Sequence, residues 1–158
     1  MKKTVILIAA ALLMAGCSAN SQSADTLEKS FTCTLKTSDG FAGSVERAEG
    51  SGWNYKLTEP ASVSGLEVSI LNEGKFVWSL ENHSAVCERS EMPQYSPLAL
   101  ACSALDMCVE GKGIASEVKD GKTVRSGTVK GIAFKAVSEN GKLLTLSFSG
   151  GETLTFNG

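Results

Sequence analysis

Residues 53–80 read WNYKL, TEPASVSG, LEVSI, LNEG, KFVWSL. Three runs in this stretch alternate large apolar residues with others: Trp53, Tyr55 and Leu57; Leu66, Val68 and Ile70; Phe76, Trp78 and Leu80. A period of two sends alternate side chains to opposite faces of a strand. Turn formers separate the runs, Glu59-Pro60-Ala61-Ser62 and then Asn72-Glu73-Gly74. The stretch reads as an antiparallel meander with both tryptophans on one apolar face.

The same alternation extends on both sides. Upstream, Phe31, Cys33 and Leu35 share a face, Ser38-Asp39-Gly40 turns, and Phe41, Gly43 and Val45 return. Glu49-Gly50-Ser51-Gly52 leads into the meander. Downstream, Ala85 and Cys87 continue it as far as Glu88. Leu98, Ala101, Cys102, Leu105, Cys108 and Val109 then recur at helical spacing. Ser96 is the expected N-cap, Pro97 the first helical residue and Gly111 the stop. Beyond it come strands at Ile114–Val118, Thr123–Ser126 and Val129–Val137, with Asp120-Gly121 turning between the first two. Asn140-Gly141 is a strong hairpin signal, followed by Leu144, Leu146 and Phe148, then Leu154 and Phe156. The expectation is a mainly β (α+β) domain over 31–158, with about nine antiparallel strands and one or two helices on the apolar face.

The first residues read as a targeting segment. Lys2 and Lys3 precede an apolar run from Val5 to Met14. About ten residues are too short to span a bilayer, so the run fits a signal core. Leu13-Met14-Ala15-Gly16-Cys17 resembles the lipobox of bacterial lipoproteins, with Met14 where Leu is commoner. That resemblance implies a signal peptide over 1–16, cleavage before Cys17 and acylation of its sulfur. Residues 17–30 would be the acylated cysteine and a polar tether spanning about 20 Å. The implied partner is a membrane, and the implied location is the extracytoplasmic face of the bacterial envelope. Removing residues 1–16 leaves 142, with 13 basic and 17 acidic side chains and a net charge of −4. That balance argues against nucleic acid as a partner.

Four cysteines follow Cys17: Cys33, Cys87, Cys102 and Cys108. An even number in an exported chain suggests two disulfides. On a regular helix Cys102 and Cys108 are about 9 Å apart, beyond the roughly 7 Å limit for a bridge. Each would then pair with Cys33 or Cys87, stapling helix to sheet. The spacings do not fit a metal site, and His83 is the only histidine. One histidine without a nucleophile-elbow pattern gives serine hydrolysis no foundation. Glu46, Glu49, Glu59, Glu67 and Glu73 fall in turns or between apolar strand residues, which suits a solvated face rather than paired catalytic carboxylates. The expectation is a protein that is not an enzyme and uses no cofactor.

Phe41, Gly43 and Val45, followed by Trp53, Pro60, Val63, Gly65-Leu66 and Val68, resemble lipoproteins of monoderm bacteria related to the lipoprotein-sorting protein LolA. Gly127, Phe134, Gly141-Lys142, Leu144–Phe148 and Leu154–Phe156 fit the same pattern. The resemblance implies an unclosed half-barrel with helices over its concave face and a cavity for acyl chains between them. The implied apolar wall is Trp53, Tyr55, Leu57, Val68, Ile70, Phe76, Trp78, Leu80, Leu98 and Leu105. The expected function is a monomeric carrier or sensor that binds a lipid or other apolar molecule. The alternative is a lipoprotein with a filled core and a protein partner at the envelope, because aromatics also fill cores.

Overall fold

The computed structural model describes residues 24–50, 52–71, 74–91 and 97–157. The expected signal peptide, Cys17, the start of the tether, Asn72-Glu73 and the Ser96 cap lie outside them. Six strands come first: β1 (Phe31–Thr37), β2 (Ala42–Ala48), β3 (Gly52–Glu59), β4 (Glu67–Ile70), β5 (Lys75–Leu80) and β6 (His83–Glu88). The helix α1 (Pro97–Glu110) follows. Five strands complete the chain: β7 (Ile114–Lys119), β8 (Lys122–Val129), β9 (Ile132–Glu139), β10 (Lys142–Phe148) and β11 (Thr153–Asn157). Two single-turn helices, Ala61–Val63 and Arg89–Glu91, sit in connections.

All eleven strands join one antiparallel sheet in the order β6-β5-β4-β3-β2-β1-β11-β10-β9-β8-β7. The first strand pairs with the last, Leu35 opposite Phe156. Two meanders therefore meet at the chain's ends.

The helix shows how far the sheet bends. Tyr55 on β3 touches Cys102 of α1. Cys108, about 9 Å further along the axis, shares a cleft with Arg125 of β8. Six strand spacings separate β3 from β8, about 29 Å on a flat sheet. One helix of about 10–12 Å diameter reaches both sides only if the sheet curls around it. The result is an unclosed half-barrel with α1 on its concave face.

The expected strand count is corrected to eleven among the described residues. The expected boundary after Thr123–Ser126 is also shifted: β8 runs on to Val129, Lys130-Gly131 turns with φ of 49° and 80°, and β9 begins at Ile132. Both turn residues are left-handed, as a two-residue hairpin of this kind requires. A lysine there gives little sequence signal. Asp120-Gly121 and Asn140-Gly141 adopt the same conformation at the expected places. Gly111 has a φ of 68° just past α1 and stops the helix as expected.

The tether also differs from its reading. Residues 24–30, taken as its end, pack across one end of the concave face. Leu27 is 5% exposed and joins the core. The Glu28 N–H donates to the Gly141 carbonyl. Arg47 donates to the Lys29 carbonyl, and the Glu49 N–H donates to Ser30 Oγ at 2.9 Å. These residues form a strap from the β9–β10 turn to the β2–β3 turn.

Candidate apolar pocket and the strap across the half-barrel

Strand register builds the interior in rows. One row crosses the sheet as Cys33, Val45, Tyr55, Val68, Trp78 and Ala85. The next is Phe31, Arg47, Trp53, Ile70, Phe76 and Cys87. Of the expected apolar wall, Trp53, Tyr55, Leu57, Val68, Ile70 and Leu105 are buried. Phe76, Trp78, Leu80 and Leu98 are half-buried. Trp53 stacks on Tyr55 at 6.1 Å and meets Phe31 edge-on at 5.8 Å. The helix drops Leu100, Ala101, Cys102, Ala104 and Leu105 onto this layer. Most of the expected wall is packed core, as close packing of protein interiors requires.

Polar contacts fix the helix. Asp106 Oδ1 accepts from Arg47 Nε and Nη2, each at 3.2 Å, and from Trp53 Nε1 at 3.2 Å. Arg47 also lies over the Trp53 ring, 5.6 Å from its centroid. The Tyr55 hydroxyl lies 3.0 Å from Cys102 Sγ. Burial first, then the adjacent Cys102 and Asp106, holds the Tyr55 phenol well above its ordinary range. Arg47 is nearly silent in the sequence. Its one signal is a charge at an inward position of an alternating strand.

Space remains under the N-terminal end of α1. A pocket of about 170 Å³ lies between Leu35, Thr37, Asp39, Phe41, Leu57, Pro97 and Leu98. Its polar atoms are engaged locally. Thr37 Oγ1 donates to Asp39, and the Phe41 N–H donates to Thr37 Oγ1 at 2.9 Å. What faces the space is therefore mainly hydrocarbon. Of the expected wall, Leu57 and Leu98 line it. Ligand pockets generally run to about 300–1,000 Å³, so this one suits a small apolar group. A second hollow, about 150 Å³, lies under the strap between Leu27, Phe31, Cys33 and Leu143.

The strap is pinned at Asp25. Its carboxylate accepts from Arg125 Nη2 at 2.9 Å, Ser138 Oγ at 2.9 Å and the Gly141 N–H at 2.7 Å. Its backbone N–H donates to Thr123 Oγ1 at 2.9 Å. Burial pushes the Asp25 carboxyl upward, but its bonds with Gly141, Arg125, Thr123 and Ser138 outweigh that and hold it below its ordinary 3.8.

The disulfide expectation is corrected. Cys33, Cys87, Cys102 and Cys108 are all unbridged thiols. Cys87 lies on the edge strand β6, five strands from Cys33 on β1. Cys102 sits against Tyr55, while Cys108 shares a cleft with Arg125. Burial pushes the Cys33 and Cys108 thiols up to about 11, Arg125 partly offsetting this at Cys108. Such thiols are poor nucleophiles at neutral pH. His83 is exposed on β6, opposite Leu80. Among the described residues no three His, Cys, Asp or Glu side chains gather to hold a metal ion.

Fold and site together define an open antiparallel half-barrel, closed over by one helix and a strap, with a small apolar pocket at one end of that helix. No family model matches the chain, and no curated protein matches it. The assignment to LolA-like lipoproteins, and the acylated Cys17 that goes with it, are corrected accordingly. The half-barrel architecture is what stands.

Proposed function

We propose that this protein is a binding protein and not a catalyst, and that it holds a slender apolar group in the pocket under Pro97 and Leu98. The observation that carries this is the largely hydrocarbon lining of that 170 Å³ space. A cavity of about 150 Å³ takes a benzene-sized guest, so the pocket suits about six carbons. At about 0.8 kcal/mol per methylene, burying five or six releases about 4–5 kcal/mol, from which the cost of immobilising the ligand is subtracted, so binding is millimolar or weaker. The natural ligand would then be an acyl or similar chain end, met at high local concentration. Placement on the outer side of a membrane would supply that concentration and belongs to the same proposal.

The test is ligand-detected NMR with n-alcohols from butanol to decanol. Affinity should rise about fourfold per added carbon and level off near six. Leu98→Trp should abolish it by filling the mouth. Absence of binding across the series overturns the reading. A second reading, docking of a protein partner, rests on the β5–β6 end of the sheet. There Trp78 and Phe76, on the concave face, are only half-covered. Failure of the alcohol series would favour it.

A further inference from the structure

Arg125 stands at an inward position of β8, in register with Ala136, Leu146 and Leu154. Leu146 and Leu154 are fully buried, and the Arg125 side chain is 5% exposed. A guanidinium in such surroundings requires an anion.

Three donors converge there from the sheet. Arg125 Nη2 lies 2.9 Å from Asp25 Oδ1, Ser138 Oγ lies 2.9 Å from Oδ1 and 3.2 Å from Oδ2, and the Gly141 N–H lies 2.7 Å from Oδ2. Both carboxylate oxygens are therefore engaged. Arg125 is braced from within the sheet, because its Nη1 donates to Ser138 Oγ at 2.6 Å. The donors sit on β8, β9 and the turn after β9, while the acceptor comes from a strap without regular secondary structure. The donors therefore belong to the sheet and its turn rather than to the strap. A cleft of about 210 Å³ adjoins it: residues 24–27 of the strap form one wall, and Val109, Glu110, Ile114, Ser116 and Arg125 form the wall that does not depend on the strap.

The geometry points to a carboxylate-binding site at Arg125, Ser138 and Gly141, occupied within this chain by Asp25, and to residues 24–30 as a strap that an external carboxylate displaces. The ligand class is a monocarboxylate with a short apolar tail. Arg125 and the Gly141 N–H recognise the charge, and the Val109 and Ile114 side chains, which stay when the strap leaves, receive the tail. This site is distinct from the pocket under Pro97.

Two experiments on the full chain test it. In Asp25→Ala, sodium acetate should raise the melting temperature saturably above sodium chloride at equal ionic strength, and adding Arg125→Met should erase the difference. In the unaltered protein, sodium hexanoate should speed tryptic cleavage of the Lys29–Ser30 bond about fivefold by freeing the strap. Hexanol at the same concentration should leave that rate unchanged, which separates this site from the apolar pocket. Equal melting in acetate and chloride, or a cleavage rate indifferent to hexanoate, overturns the proposal. If Asp25→Ala does not fold, the hexanoate experiment decides alone.

Discussion

Asp25 carries a charge into a half-covered position because three donors await it there. Its folded-state pKa lies below the ordinary 3.8, which makes it a pH-dependent contributor to stability. A lowered pKa means the carboxylate form is favoured by folding. The stabilisation is complete above the unfolded value and is lost as pH falls through the lower, folded one. Asp25→Asn removes that titration and the charge-assisted part of the bonds, about 1–3 kcal/mol near neutral pH. Melting temperatures of protein and variant should therefore differ at neutral pH and converge below pH ~3.8. A gap that stays constant down to about pH 3 would mean that Asp25 does not titrate in this window.

At the scale of elements, β8 and β9 depend on a residue with no side chain. Phe134 pairs with Gly127, and its ring occupies the place of a β-carbon. A Cβ at Gly127 would fall 2.9 Å from two ring carbons and 3.0 Å from the Gly113 carbonyl oxygen. Both obstacles are inflexible, so Gly127→Ala should cost about 1–3 kcal/mol, the usual range for overpacking. Gly150→Ala meets nothing within 4 Å, and urea midpoints should show it within about 0.5 kcal/mol of the parent. The alternation that revealed most strands is the burial pattern itself: Trp53, Tyr55 and Leu57 are inside, while Asn54 and Lys56 are outside. Turns were legible where Asp-Gly or Asn-Gly marked them and hidden at Lys130-Gly131. The site was less legible. Sequence periodicity separates an apolar wall from a packed core only by what lies opposite, and here α1 lies opposite. The charged anchors Arg47 and Arg125 are not legible in the sequence because their partners, Asp106 and Asp25, stand 59 and 100 residues away.

At the scale of the molecule, the strap and α1 do the work that closure does in a barrel. The sheet ends in two open edges, β6 and β7, and its concave face must be covered from elsewhere. The strap contributes a buried leucine and the counter-charge for Arg125. Burying Leu27 is worth about 1.5–3 kcal/mol, and leaving a buried charge unpaired costs about 3–5 kcal/mol. Domains of this kind are stable by only about 5–15 kcal/mol. A chain beginning at Ala24 should thus unfold in urea as a stable domain, whereas one beginning at Phe31 should be marginal or unfolded. The two contributions can then be separated. Arg125→Met in the chain beginning at Phe31 removes the stranded charge but restores no leucine, so it should recover the larger share of the loss. If it recovers nothing, the strap acts through hydrocarbon alone, and Arg125 reaches water once Asp25 is gone.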